Sequence, residues 1–236
     1  MVPACVMVHP DPGTLDSVMS LNVFPAFAVP MAEQQHPAPD ALNADLLRLI
    51  LTLESRGAGY RNPEPVVHQP EGLFESDFSF FAREEPCVQE LRAWIWSALG
   101  EFLRNINPNL AGGTRGLRVA SQTWFHVTRD GGYFGYHNHP MASWSGVYCV
   151  SDGDPSPDYS NNGCLVFPHP QTAANTFLDA ANGSLRWPFS HGNFVLSLKP
   201  GMLILFPSWL GHYVTPFRGP GQRVTVAFNA WFSREG

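Results

Sequence analysis

Charged residues and long apolar runs are both scarce in this chain of 236 residues. Asp, Glu, Lys and Arg make up only 14% of the sequence, the net charge is −6, and Lys and Arg form no cluster. Because nucleic-acid binding needs a basic surface for the phosphates, we expect no nucleic-acid partner. No run of about 18 apolar residues occurs, so we expect no membrane-spanning segment. The N-terminus lacks the basic start and apolar core of a signal peptide, which indicates a cytoplasmic protein.

Cysteines are also few and widely separated. The chain has four, at Cys5, Cys87, Cys149 and Cys164, and none stands in a CxxC pair. This spacing argues against a zinc knuckle and against a disulfide framework. We therefore expect reduced thiols that are mostly buried.

Aromatic and turn-forming residues are abundant instead. The sequence has 17 Phe, 7 Trp, 21 Gly and 22 Pro, and apolar residues make up 44%. This composition favours an aromatic-rich β protein over a helical bundle or a disordered chain. The length suits one domain over residues 1–236, with residues 1–20 as an irregular N-terminal extension.

The pattern along the chain predicts two helices followed by strands. Apolar residues recur at helical spacing over residues 40–55 and 88–106. Leu21 to Val29 could form an edge strand broken at Pro25. Short β-type runs separated by turn residues follow, at 118–128, 132–137, 145–151, 163–167, 193–198, 202–206, 210–216 and 223–232. We therefore predict a mainly β fold, an antiparallel double sheet of jelly-roll type with the N-terminal helices packed on one face.

Two histidines stand one residue apart in the stretch GGYFGYHNHPMASWSGVYCV. Residues i and i+2 of a strand point to the same side, so His137 and His139 can present two nitrogens to one metal ion. His212, in the segment FPSWLGH, is the candidate for a third ligand. Imidazoles suit Fe, Zn, Cu or Ni. A His pair near a turn can also be an ordinary surface feature.

An arginine lies in the last apolar run. Arg223 precedes the apolar residues of Val224 to Phe228, and a cation on a buried strand requires an anion. Its planar guanidinium could hold a dicarboxylate whose other end chelates the metal. Thr225, on the same side of the strand, could add a hydroxyl, and Ser145 is the comparable residue after the His pair. The other interpretations of Arg223 are a structural ion pair or a side chain that reaches solvent.

The segments GGYFGYHNHP, SWSGVYCV, LILFPSWLGHYV and RVTVAFN together resemble a bacterial family of 2-oxoglutarate/Fe(II)-dependent oxygenases. The similarity extends over roughly residues 20–232 and is most specific in the second half. It implies a double-stranded β-helix fold of the jelly-roll or cupin-like type. It also implies Fe(II) as the metal, 2-oxoglutarate as cosubstrate and O2 as oxidant.

The resemblance implies that His137, His139 and His212 bind iron. The larger superfamily usually has His-x-Asp or His-x-Glu, so His139 departs from its pattern. Three neutral histidines would leave the site one charge more positive than two histidines and a carboxylate. Alternatively, His137 and His212 bind iron without His139, which then contacts substrate or cosubstrate.

Further residues are implied for the cosubstrate and the substrate. Arg223 matches the residue that holds the distal carboxylate of 2-oxoglutarate. The residues that match its polar surroundings are Thr225, Ser145 and His126, the last standing where an amide is common. The candidates for the substrate pocket are Trp124, Cys149 and Trp209, each of which could equally be a packing residue.

The implied reaction is oxidation of a C–H bond, most simply hydroxylation, with release of succinate and CO2. The substrate would be a small molecule, an amino acid or a peptide, and desaturation or ring formation remain open. One alternative is a three-His, cupin-like dioxygenase that does not use 2-oxoglutarate. Another is a β-sandwich that binds a metal or ligand without catalysis. The oligomeric state is left open, with a homodimer as one option.

Overall fold

The computed structural model describes residues 23–113, 116–171 and 177–234, so the predicted irregular extension at 1–20 lies outside the described residues. Two α-helices, α1 (Pro39–Ser55) and α2 (Pro86–Ile106), confirm both predicted helices. Ten strands accompany them: β1 (Ala32–Gln35), β2 (Leu73–Glu75), β3 (Leu117–Thr128), β4 (Phe134–His137), β5 (Trp144–Asp152), β6 (Leu165–Phe167), β7 (Phe194–Leu196), β8 (Met202–Pro207), β9 (His212–Val214) and β10 (Arg223–Arg234).

The strands form two antiparallel sheets, as predicted. The larger sheet has the order β1-β8-β5-β10-β3-β2, and the smaller has the order β4-β9-β6-β7. The last strand, β10, is central in the larger sheet because it pairs with β3 on one side and β5 on the other. Strand β10 therefore contributes to both faces of this sheet, one towards the helices and one towards the smaller sheet.

Both helices pack on the outer face of the larger sheet. Helix α1 presents its buried residues Leu46, Ile50 and Leu53 at intervals of three and four, which makes one apolar stripe. Helix α2 ends at Ile106, directly before an Asn-Pro pair that cannot continue a helix. These stripes and the outward side chains of the sheet form the main core.

A second apolar cluster lies between the two sheets. Its buried members come from β5, β6 and β8 and from neighbouring loops: Cys149, Leu165, Phe167, Leu198, Ile204, Phe206 and Leu210. Within the part of the chain that the structure describes, no helix is long and apolar enough to cross a membrane.

All eight predicted β runs contain a strand, but the N-terminal edge strand was placed wrongly. Residues 23–29 form no strand, and the true edge strand is β1, which pairs with β8. Its sequence, Ala-Glu-Gln-Gln, has no apolar alternation, because an exposed edge strand needs only backbone hydrogen bonds. Strand β2 was also not predicted, because a strand of three residues is too short to show a period.

Candidate functional site

A narrow cavity, with ≈ 30 Å³ open to water-sized molecules, lies between the two sheets. Its lining comes from β3, β4, β5, β6, β8, β9 and β10. The predicted site residues that line it are Trp124, His126, His137, His139, Ser145, His212, Arg223 and Thr225. The fold therefore brings the candidate metal ligands and the buried arginine to one cavity.

Three histidines converge at one part of this cavity. His137 on β4 lies directly opposite His212 on β9, and His139 follows two residues after His137. One ring nitrogen from each of the three lies within 4.8 Å of the others. The ring centroids of His137 and His212 are 4.3 Å apart, and that of His139 is 4.9 Å and 5.2 Å from them. This arrangement could hold one metal ion.

Backbone carbonyl groups fix the tautomers of two of these rings. Nδ1 of His137 lies 2.8 Å from the carbonyl oxygen of Gly135, and Nδ1 of His212 lies 2.9 Å from that of Leu210. A carbonyl oxygen only accepts, so each Nδ1 carries the proton and each Nε2 keeps its lone pair. Such an outer hydrogen bond is the usual way in which a protein orients a histidine ligand.

Burial keeps all three imidazoles neutral. Burial is the main cause that lowers the pKa of His137. Burial also lowers the pKa of His212 well below 6.5, and the neighbouring His137 lowers it further. Burial, followed by the charge of His137, lowers the pKa of His139 to about 3. Because a metal ligand must be deprotonated, these shifts leave the cluster ready for a cation near neutral pH.

The position of His139 is set by the FPSW turn. Its backbone N–H donates to the carbonyl oxygen of Ser208 at 2.9 Å, and its ring centroid lies 5.6 Å from that of Trp124. The indole Nε1 of Trp124 is buried and has no hydrogen-bond partner among the described residues. The predicted pocket residue Trp124 thus lines the cavity beside His139.

Arg223 is buried in the same cavity without an anion. Its side chain is only 5% exposed, and no described residue accepts a hydrogen bond from it or forms an ion pair with it. Asp152, its neighbour across β5, pairs instead with Lys199 at 3.2 Å. Burial lowers the pKa of Arg223, but arginine stays charged near neutral pH. An unpaired buried cation is costly, so Arg223 could hold an anionic group in this cavity.

Thr225 and His126 flank this cation. Thr225 lies two residues along β10 from Arg223 and therefore on the same face, and His126 lies directly opposite Thr225 on β3. Nε2 of His126 is 3.2 Å from Oε1 of Glu75. Glu75 was missed from the sequence, because no motif marks it and only the pairing of β2 with β3 brings it to His126.

Ser145 is not a neighbour of the Arg223 guanidinium, contrary to prediction. It pairs with Asn229, six residues further along β10 than Arg223, which corresponds to about 20 Å of strand. Its hydroxyl donates to Oδ1 of Asn229 at 2.7 Å and lies 2.8 Å from the Ser208 hydroxyl. Ser145 lines the cavity at the end where Ser208 holds His139, because strand register separates it from Arg223.

Two predicted pocket residues do not line the cavity. Cys149 belongs to the apolar cluster between the two sheets and not to the cavity lining. Its Sγ donates to the carbonyl oxygen of Leu198 at 3.8 Å. Burial raises the pKa of that thiol to about 12. Trp209 lies in the turn after β8 and is 54% exposed, because the turn carries its ring away from the interior.

Residues 122–229 match the family model described as "Putative 2OG-Fe(II) oxygenase". Every residue that lines the cavity, from Trp124 to Phe228, lies inside this segment. No curated protein matches the chain by sequence. The family match and the cavity thus concern the same part of the chain.

Solved structures share the fold at low sequence identity. A prolyl-4-hydroxylase of Pseudomonas putida is 16% identical with a TM-score of 0.55, and the alignment covers 88% of this chain and 94% of that one. HygX of Streptomyces hygroscopicus, solved with nickel, 2-oxoglutarate and hygromycin B, is 13% identical with a TM-score of 0.52, covering 86% and 82%. A prolyl hydroxylase of Trichoplax adhaerens, solved with a peptide of hypoxia inducible factor, is 12% identical with a TM-score of 0.51, covering 87% and 84%. Residues 122–229 thus resemble a 2OG-Fe(II) oxygenase, and the three histidines that could hold a metal ion lie inside this segment.

Proposed function

We propose that the protein is a 2-oxoglutarate/Fe(II)-dependent oxygenase in which His137, His139 and His212 bind Fe(II) and Arg223 binds the distal carboxylate of 2-oxoglutarate. The observation that carries this proposal is the buried, unpaired guanidinium in the cavity that the three imidazoles line. A dicarboxylate of this kind can place one carboxylate on the cation and the other end at the metal. Thr225 and His126 border the carboxylate that Arg223 receives.

The reaction is hydroxylation of a C–H bond in a small molecule, an amino acid or a peptide. One O2 and one 2-oxoglutarate are consumed, and succinate, CO2 and the hydroxylated product are formed. Fe(II) supplies the activation of oxygen, and 2-oxoglutarate supplies the two further electrons as it loses CO2. The polypeptide orients the cosubstrate through Arg223 and keeps three neutral nitrogens at the metal.

Both substrate classes have support among the structural neighbours. HygX was solved with hygromycin B and the Trichoplax enzyme with a peptide, so this fold accepts small molecules and peptides alike. The loops at 153–164 and 177–193 are the described parts of the chain that we expect to select the substrate, because loops at the rim of a rigid scaffold usually do so.

The test is 2-oxoglutarate turnover by the Fe(II)-loaded protein with small-molecule and peptide libraries. We expect succinate to form in proportion to a product that carries one more oxygen atom. O2 consumption with a substrate but without 2-oxoglutarate would instead favour a three-His dioxygenase. Tightly held zinc with no turnover in Fe(II) would favour a module that only binds a ligand.

A further inference from the structure

A buried carboxylate outside the matched segment contacts the wall of the cavity. Glu75 on β2 is 4% exposed, and its Oε1 lies 3.2 Å from Nε2 of His126. Its Oε2 accepts hydrogen bonds from Nδ2 of Asn62 at 2.8 Å and from Nε2 of Gln69 at 2.6 Å. A buried carboxylate is tolerated only when it is paired and hydrogen-bonded, and this one has three partners.

These partners keep Glu75 ionised. Burial by itself raises the pKa of Glu75, but the hydrogen bond and charge of His126 and the amide of Asn62 together outweigh it, so the pKa falls below 4.5. An ionised carboxylate only accepts hydrogen bonds, so the proton between the two residues lies on Nε2 of His126. The ring is therefore fixed in one orientation. No described residue forms a hydrogen bond with its other nitrogen, Nδ1.

The strand register places Glu75 and His126 close to Arg223 on the same face of the larger sheet. Glu75, His126 and Thr225 lie opposite one another across β2, β3 and β10, and all three therefore face the same side of the sheet. Arg223 follows on that face, two residues from Thr225. His126 lines the cavity together with Arg223, whereas Glu75 stands behind it. Glu75 can thus act on a ligand only through His126.

We propose that Glu75 is a positioning residue for 2-oxoglutarate binding, which rests on the function proposed above. Glu75 holds Nε2 of His126, so that Nδ1 is left for the carboxylate that Arg223 binds. When both ring nitrogens carry a proton, His126 can donate from Nε2 to Glu75 and from Nδ1 to an anion. The cosubstrate site thereby extends beyond β10 to β2, outside residues 122–229.

The experiment measures the Kd of 2-oxoglutarate anaerobically in the metal-loaded protein and, separately, the Kd of the metal. Glu75→Gln keeps the size of the side chain and removes its charge. We expect it to weaken 2-oxoglutarate binding about tenfold, the usual scale for a charge-assisted hydrogen bond, with metal binding unchanged. In turnover, KM for 2-oxoglutarate should rise more than kcat falls. Glu54→Gln, which removes the charge of an ion-paired carboxylate outside the cavity, is the matched control and should change neither Kd.

A double-mutant cycle separates positioning from a purely structural role. In a His126→Asn background, Glu75→Gln should have no further effect on the Kd of 2-oxoglutarate, because the residue through which it acts is gone. Equal effects in both backgrounds, or an unchanged Kd in Glu75→Gln, would overturn the proposal. If Glu75→Gln does not fold, Gln69→Ala replaces it, since it loosens Glu75 without touching the cavity. About a twofold rise in the Kd is then expected, and no change would contradict the proposal. If the wild-type protein does not bind 2-oxoglutarate, the proposed function fails first.

Discussion

His137 lies directly opposite His212 across β4 and β9, and each ring uses its Nδ1 to donate to a backbone carbonyl oxygen two residues earlier in the chain. The two rings thus make the same kind of hydrogen bond, although their strands are far apart in the sequence. Both rings therefore present an unprotonated Nε2 to the same point. The third histidine, His139, is held by a backbone hydrogen bond to Ser208 rather than by a hydrogen bond to its ring.

This difference predicts unequal effects of the three histidine-to-alanine substitutions. His137→Ala and His212→Ala should each abolish stoichiometric Fe(II) binding, because two ligands remain of which only one has a fixed tautomer. His139→Ala should weaken Fe(II) binding by a smaller factor but still measurably, and metal content after gel filtration reports the result. Unchanged stoichiometry and affinity in His139→Ala would mean that His139 is not an iron ligand. His169→Ala, at a half-buried histidine outside the metal cluster, is the control.

Replacing Arg223 should weaken 2-oxoglutarate binding and at the same time raise the free energy of unfolding. Arg223→Met should weaken 2-oxoglutarate binding about 100-fold or more, because a buried carboxylate would lose its charged partner. Without 2-oxoglutarate, the same variant should have a free energy of unfolding higher by about 1 kcal/mol, since an unpaired buried cation has been removed. Urea denaturation and calorimetric titration check the two expectations.

The control for that pair of measurements is Arg218→Met. Arg218 is a partly exposed arginine whose ion pair with Asp130 lies at the surface. Its loss should leave the affinity for 2-oxoglutarate unchanged and alter stability by less than about 1 kcal/mol. A destabilised Arg223→Met that still binds 2-oxoglutarate would show that Arg223 serves the fold instead.

The pH dependence of stability should report the Glu75 network. The folded-state pKa of Glu75 lies below 4.5, so the folded chain binds this proton less readily than the unfolded chain. Its contribution to stability is therefore present above about pH 4.5 and is lost as the pH falls through the folded value. The difference in free energy of unfolding between wild type and Glu75→Gln should narrow below pH 4.5. A difference that stays constant with pH would contradict the assignment.

A buried hydrogen bond between α1 and β5 should stabilise the packing of the helix on the larger sheet. The hydroxyl of Tyr148 on β5 donates to Oδ1 of Asn43 on α1 at 2.8 Å, and burial raises the pKa of that hydroxyl. Tyr148→Phe should lower the free energy of unfolding by about 1 to 3 kcal/mol, because the amide oxygen of Asn43 loses its partner. Asn43→Ala in the same background should then cost little more. Chemical denaturation of the wild type, Tyr148→Phe, Asn43→Ala and the double variant measures this coupling.

Much of the fold was predictable because its signals are local. The helical spacing of Leu46, Ile50 and Leu53 and the short apolar runs after residue 117 fixed the element types without tertiary information. Strand β1 carried no such signal, since its residues are polar and its partners are backbone groups of β8. Strand β2 is three residues long, which is too short for a period.

Sequence motifs predicted which residues line the cavity. They did not predict positions that depend on how neighbouring strands are paired. His137, His139, His212 and Arg223 were all placed in one cavity, as expected from the motifs. Ser145 was assigned to the wrong end of that cavity, because sequence shows which face of a strand a residue occupies but not its partner on the next strand.

Glu75 was missed for the same reason, because its place in the site depends on strand pairing. It pairs with a residue 51 positions later in the chain, in a segment without a recognisable pattern. Only the pairing of β2 with β3 brings its carboxylate to His126. Long-range polar contacts of this kind depend on the completed sheet.

The central claim is that three imidazoles and one guanidinium in one cavity hold Fe(II) and 2-oxoglutarate together. It is tested most directly by adding 2-oxoglutarate to the Fe(II)-loaded protein without oxygen and recording the visible spectrum. We predict a metal-to-ketoacid charge-transfer band that saturates at one equivalent of each, that is absent in His212→Ala and that requires far more 2-oxoglutarate in Arg223→Met. A protein that binds Fe(II) but develops no such band at any concentration of 2-oxoglutarate would contradict the account.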